Sequence, residues 1–341
     1  MQTPSFDDRP IWDVWLSVYW MPSLIAADEL DLFEALQARP ADAEELAERL
    51  ELSPFALKAL LPLLASLGFL VVRLGRYHLT GPAGLYLIKQ SPLYWGHAFS
   101  IHRQNPWASR MMAALRSRPV ESLGMFGEEQ RPVDSWESGE LDPQMARMLC
   151  AFMHSHSLPA ALGLADSPRF EASRRLLDVG GGSGCFSIAL AQRRPQLRCT
   201  ILELPVMGEL ARGFIEAAGV QDRVEICPLD MFRQAWPRGH DAVLMSNIFH
   251  DWDEQTCARL ASMAFDALEP GGRIHLHEML MDDEGSGPLP AAAFAMQMLV
   301  GTNGRQYSAA ELARLLEDAG FVDVEVDAAY SYFSLVTGVR R

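Results

Sequence analysis

A chain of 341 residues, 49% hydrophobic and 21% charged, is long enough for about two globular domains with a sizeable core. Its 44 acidic and 29 basic residues give a formal charge of -15, which repels nucleic-acid phosphates and anionic membranes and excludes both as partners. Five scattered cysteines (Cys150, Cys185, Cys199, Cys227, Cys257), with no C-x-x-C pair, argue against a disulfide frame or zinc site and for reduced, buried thiols in a cytoplasmic protein.

The polar, acidic start from Met1 to Asp8 does not fit a secretory signal. The longest apolar stretch, about 59–72, contains Pro62 and is too short to span a bilayer. Three regions are expected: a winged-helix-like dimerisation domain over 1–100, a helical linker over 101–160, and a cofactor-binding domain over 161–341.

The first helix carries Trp12, Trp15, Tyr19 and Trp20 on one face. Helical patterns follow over 21–36, 43–50 and 54–67, with Asp42 before Glu45 as a capping box and Ser53-Pro54 as an N-cap with proline in the first turn. A hairpin, 68–72 and 76–80 around Gly75, completes a winged-helix outline. Its recognition-helix equivalent, 54–61, holds one basic residue, Lys58, and no group suited to base edges, so it is expected to pack on a second subunit or the other domain. The second half alternates strands (175–179, 196–204, 224–228, 241–247, 273–280) with helices (184–194, 206–218, 257–268, 309–319). It ends in two strands, 322–328 and 333–339, close enough to pair antiparallel. This pattern predicts an α/β fold: a Rossmann-like sheet, parallel except for one antiparallel strand near the edge, with helices on both faces.

Directly after the first strand, Asp178-Val179-Gly180-Gly181-Gly182-Ser183-Gly184 opens into a helix. Glycines there allow a sharp turn and close approach of a ligand. The G-x-G-x-x-G spacing fails, because its last position is Cys185. A carboxylate at Asp178 would repel a pyrophosphate but attract the ammonium and sulfonium of S-adenosylmethionine. Glu203, ending the second strand, can accept both ribose hydroxyls. Asp230 and Met231, after the third, can take the adenine amino group and cover its ring.

The fourth strand runs into Ser246-Asn247-Ile248-Phe249-His250-Asp251-Trp252. An imidazole of ordinary pKa, about 6.5, is largely neutral near pH 7, and a phenol gains nucleophilicity as its proton is drawn away. His250 is therefore the candidate general base, and Glu278, ending the fifth strand, can orient it. Strand alternation puts His275 and His277 on the opposite face, as packing residues.

Together, Asp178–Gly184, Glu203-Leu204-Pro205, Asp230-Met231-Phe232, His250-Asp251-Trp252 and Pro270-Gly271-Gly272 resemble the plant-type small-molecule O-methyltransferases. That family includes caffeic acid and acetylserotonin methyltransferases and bacterial relatives acting on phenazines, carotenoids and polyketides. The resemblance implies a homodimer joined through the winged-helix domain, His250 as base flanked by Glu278, and Met153, His156 and Ser157 near cofactor and acceptor. Many members place a second glutamate beside the base, and here Gln306, in Gly304-Arg305-Gln306-Tyr307-Ser308, takes its position.

The expected cofactor contacts are thus Asp178, Gly180, Gly182, Gly184, Glu203, Leu204, Asp230, Met231, Ser246 and Ser157. The acceptor, a small and flat apolar metabolite, is expected between the domains against Trp107, Met111, Met153, His156, Asp251, Met298 and Asn303. No metal is expected, and S-adenosylhomocysteine is the second product. Two alternatives stand beside this reading. One is a metal-dependent C-methyltransferase of 2-oxo acids, for which His250-Asp251 is present but Gly301-Thr302-Asn303 supplies no later histidine. The other is a non-catalytic S-adenosylmethionine-binding regulator.

Overall fold

The computed structural model describes residues 2–102, 104–117 and 132–341, so residues 103 and 118–131 of the expected linker lie outside the described part. The first elements are α1 (Arg9–Leu16), α2 (Trp20–Glu29), α3 (Leu32–Ala38), α4 (Ala43–Leu50), α5 (Pro54–Ser66), β1 (Leu70–Arg73) and β2 (Arg76–Leu79). Then come α6 (Gly81–Tyr86), α7 (Gly96–Phe99), α8 (Pro106–Leu115), α9 (Pro132–Ser138) and α10 (Pro143–Leu164). The alternating part is β3 (Arg175–Val179), α11 (Cys185–Arg193), β4 (Arg198–Glu203), α12 (Pro205–Ala218), β5 (Val224–Pro228), β6 (His240–Ser246), α13 (Glu254–Ala267) and β7 (Leu268–Glu278). The chain closes with α14 (Leu289–Gly301), α15 (Ala309–Asp318), β8 (Phe321–Ala328) and β9 (Ser334–Arg340). Among the described residues no helix is long and apolar enough to cross a membrane.

Two compact units result. One comprises Pro10–Val133 and Leu280–Ser308, the other Met1–Arg9, Asp134–Met279 and Ala309–Arg341.

In the first unit the expected caps hold. Asp42 accepts a hydrogen bond from the Glu45 backbone and Ser53 from that of Ala56, each satisfying an orphan N–H at a helix start. β1 and β2 pair antiparallel from Leu70 opposite Leu79 to Arg73 opposite Arg76, turning through Leu74 and Gly75 in left-handed backbone. The single helix expected over 21–36 is broken. Asp31 takes a φ of 55°, and α3 starts afresh behind it. α14 is an element the periodicity did not reveal: all of Ala291 to Gly301 is buried, so no polar face marks it as a helix. It packs on α5 and α8, which supply the apolar surface it needs.

The second unit is one seven-stranded sheet in the order β5-β4-β3-β6-β7-β9-β8. β3 to β7 are mutually parallel, and β9 alone runs against them between β7 and β8. The expected single antiparallel strand near the edge is therefore present. Most bounds in this unit shift by one or two residues, and two starts shift further for local reasons. α13 begins at Glu254 because Asp253 caps it, accepting from the Thr256 backbone. β7 begins at Leu268 and carries Pro270-Gly271-Gly272 within it, with a register shift against β6.

The two β7 histidines pack inside the sheet unit, as alternation predicted. His275 Nδ1 lies 2.9 Å from Thr337 Oγ1 and its ring meets Phe170. His277 Nδ1 lies 2.9 Å from Ser246 Oγ, between Phe333 and Phe186. Burial pulls both imidazoles down to about 3. For His275 the folded pKa lies below the unfolded one, so its contribution to stability is present above about pH 6.5 and is lost as pH falls from there toward 3. His275→Leu should therefore be destabilising at pH 7.5, with the gap to the parent closing by about 2 kcal/mol at pH 5. Urea melts of both proteins at the two pH values would read this, and a constant gap would refute it.

Candidate active site

Because parallel strands end on the same edge, β3, β4, β6 and β7 deliver their last residues to one place. The loop after β3 begins the site. Gly180, Gly182 and Gly184 have φ of 65°, 56° and 77°, where a side chain is rarely tolerated. A Cβ on Gly180 would come within 2.5 Å of Ile248, and one on Gly184 within 2.8 Å of Ile201. At Gly182 a Cβ would find only the Met153 methyl, at 3.6 Å, so that side of the loop is open.

Carboxylates brace the loop from beneath. Glu203 accepts from the backbone of Gly182 (2.8 Å) and, through its other oxygen, of Leu204 (2.7 Å). Asp178 accepts from Ser187 Oγ at 2.7 Å and lies directly under Gly181. Burial pushes both carboxyls up to about 6, so both are mainly ionised at neutral pH. One residue the sequence reading passed over joins in: His154 on α10 stacks on Phe214 and places Nδ1 2.8 Å from Ser183 Oγ. It sits one position after Met153, and its spacing alone carries no signal for this bond.

Past β5, Asp230 Oδ1 accepts from the Phe232 backbone, while Oδ2 is buried, has no hydrogen-bond donor among the described residues and stands 3.5 Å from Arg233 Nε. The Met231 carbonyl accepts from Trp236 Nε1. Ser246 is engaged by His277, and Ser157 by His156 at 3.3 Å. These groups fit S-adenosylmethionine: an open glycine face beside Met153, two anionic carboxylates, and at Asp230 a buried acceptor oxygen with no hydrogen bond among the described residues, ion-paired to Arg233.

After β6 the backbone turns at Asn247, whose φ of 55° an asparagine tolerates better than most side chains. The turn brings His250 and Asp251 into the interior, 5% and 8% exposed. His250 Nδ1 is 3.5 Å from Glu278 Oε2, and Nε2 is 3.6 Å from Asp251 Oδ1. Glu278 is held in turn by the backbone N–H groups of Ile248 and Phe249, which donate to Oε1 at 3.1 and 3.0 Å. Burial, with a smaller contribution from nearby His156, pulls His250 down to about 3, against a hydrogen bond to the Asn247 backbone. Burial pushes Glu278 up to about 8, against the donors of Ile248, Phe249 and His250. Asp251 is also raised, by burial and then by Glu278. The result is a neutral imidazole with its Nδ1 side occupied by a carboxyl group. Among the described residues, no group of three or more His, Cys, Asp or Glu side chains could hold a metal ion.

The remaining expected residues belong to the other unit. Trp107 and Met111 lie on α8, Met298 on α14, and Asn303 and Gln306 just beyond it, with Met111, Met298 and Gln306 buried.

Two family models match the chain: an O-methyltransferase dimerisation domain over residues 12–89 and an O-methyltransferase domain over residues 121–322. The chain is 37% identical to the 3-hydroxy-5-methyl-1-naphthoate 3-O-methyltransferase of Streptomyces sahachiroi, covering 94% of this chain and 92% of that one. Among solved structures it is similar to an O-methyltransferase family 2 protein from Planctomyces limnophilus in complex with apigenin (TM-score 0.86, 28% identity, 100% and 98% of the two chains). It is also similar to PigF, solved with S-adenosylhomocysteine (TM-score 0.60, 25% identity, 98% and 100%). The glycine loop, the strand-end carboxylates and these likenesses agree: the chain belongs to the O-methyltransferase family and is an S-adenosylmethionine-dependent methyltransferase.

Proposed function

We propose that this enzyme methylates a hydroxyl of a small aromatic metabolite and that His250 is its general base. One observation carries the reading: a buried imidazole held neutral, whose Nδ1 faces a carboxyl group anchored by two backbone donors. The aromatic class is supported by the naphthoate relative and by the aromatic and methionine side chains of Trp107, Met111, Met153 and Met298. Asn303, His156 and Asp251 are read as the acceptor's polar contacts. Gln306, an amide where many family members have a second glutamate, is read as a catalytic group that can donate a hydrogen bond but not balance a charge. The dimerisation domain supports a homodimer, and the scattered reduced cysteines support a cytoplasmic site of action.

Bound S-adenosylmethionine supplies an electrophilic methyl on a sulfonium. Asp178, Gly180, Gly182, Gly184, Glu203, Leu204, Asp230, Met231, Ser246 and Ser157 are read as the residues that hold it. His250 takes the acceptor's hydroxyl proton as oxygen attacks, and Glu278 keeps the ring's Nδ1 side turned away from the acceptor so that Nε2 receives that proton. Orientation of the two reactants provides much of the rate, and the base the rest.

His250→Ala should keep its calorimetric affinity for S-adenosylmethionine and lose about 100-fold or more in turnover, measured as labelled methoxy product from a panel of phenols. Turnover equal to the parent's would leave His250 a packing residue, and a methyl found on carbon would replace the O-transfer reading. The acid beside the base sets a second expectation. Below about pH 8 Glu278 is a neutral acid; above it, the carboxylate at 3.5 Å stabilises the imidazolium. Turnover should therefore rise through about pH 8 in the parent, and Glu278→Gln should lack that limb in rate profiles taken with the same acceptor. An unchanged limb would assign the rise to the acceptor's own ionisation.

A further inference from the structure

Two successive residues of α10 meet two successive residues of the glycine loop. The Met153 methyl lies 3.6 Å from where a Cβ on Gly182 would stand, and His154 Nδ1 lies 2.8 Å from Ser183 Oγ. All four residues belong to the sheet unit. Neighbours on a helix point about 100° apart, so α10 meets the loop from two directions. The His154 ring is itself fixed in place. It stacks on Phe214 of α12, with centroids 4.2 Å and planes 23° apart. Among the described residues Ser183 is its one hydrogen-bond partner. Burial holds the imidazole below its ordinary pKa, so the ring is mainly neutral at neutral pH and needs no counter-ion.

The loop needs such a tether. Glycines give up more backbone freedom on ordering than any other residue, and four of the five positions from Gly180 to Gly184 are glycine. From the sheet side the loop is held by its backbone: Gly180 donates to the Leu202 carbonyl and Gly182 to Glu203 of β4, each at 2.8 Å. On the helix side only a side chain can reach across, and between 180 and 184 Ser183 carries the only one. It is 3% exposed, so its hydroxyl has to find its partner within the protein. The nearby Ser187 hydroxyl is already committed to Asp178.

We infer that His154 is a positioning residue for the cofactor: through Ser183 it holds the glycine loop in the shape that receives S-adenosylmethionine. This rests on the reading that residues 180–184 contact the cofactor, and it adds what keeps them ready. The stack on Phe214 sets the ring and the Nδ1 contact sets the loop, so the two parts of the role separate by substitution.

The test is a double-mutant cycle on the full chain, read by calorimetric binding of S-adenosylmethionine. His154→Phe keeps a ring to stack on Phe214 and removes the nitrogen; Ser183→Ala removes the hydroxyl. Each should weaken binding by about 3–10-fold, the scale of one hydrogen bond, and the double variant should be no weaker than the weaker single. His154→Asn, which returns a polar atom near the place of Nδ1, should recover part of the affinity. Without cofactor, amide exchange over 180–184 should be faster in His154→Phe than in the parent, while that of β5 stays unchanged. Parental affinity in both single variants, or losses that multiply in the double, would overturn the assignment and leave His154 a packing residue. Should His154→Phe fail to fold, Ser183→Ala decides alone, and parental affinity there overturns the assignment. Gly182→Leu separates the reading beneath it: a side chain on the open face of the loop should abolish binding. Unchanged affinity in that variant would overturn the loop's contact with the cofactor, and the role of His154 with it.

Discussion

The site depends on a constraint of backbone geometry: in a parallel sheet every strand ends on the same edge, so residues far apart in sequence arrive together only if each stands at or beside its strand's last position. Asp178, Glu203 and Glu278 fall within or at the ends of β3, β4 and β7, and His250 follows the end of β6 by one tight turn. The strand order β4-β3-β6-β7 then fixes their sequence across the edge, from the carboxylates that brace the glycine loop to the imidazole and the carboxyl behind it. A shift of one residue in any register would turn one of these side chains to the opposite face.

That edge is also where the protein tolerates the most burial of titratable groups. Asp178, His250, Asp251 and Glu278 are all at most 8% exposed, and each is made possible by specific donors or by neutrality rather than by solvent. Glu278 has two backbone donors from the very turn that presents His250, so holding the acid and presenting the imidazole are done by the same short turn. His277 shows the contrasting use of burial. It is as neutral as His250, but its Nδ1 meets Ser246 and its ring faces meet Phe186 and Phe333.

Most of the sheet was legible because strand and helix alternate and each strand ends in a distinctive residue. β3 and β5 match their expected bounds, and the antiparallel β9 follows from two strands too close in sequence for a crossover. The glycine loop was legible for the same reason as the strands, since Gly180, Gly182 and Gly184 stand where left-handed backbone is needed. What escaped was whatever lacks a period. α14 has no polar face to mark it, and the break at Asp31 depends on one backbone angle. His154 escaped for a different reason. It is defined by what it touches, Ser183, and no spacing in a sequence encodes that.

The charges at the edge form a sequence of their own. Before transfer, the imidazole is neutral and Glu278 holds a proton below about pH 8. In the proposed reaction, taking the acceptor's proton puts a positive charge on a ring that burial disfavours charging, 3.5 Å from a carboxyl group. At that distance and in that degree of burial, the imidazolium pulls the carboxyl toward ionisation, so the two groups titrate as a pair rather than singly. Two backbone donors already wait on Glu278 Oε1 to stabilise the carboxylate that results. In the role proposed for His250, the ring is thus a weak base until a carboxylate forms beside it.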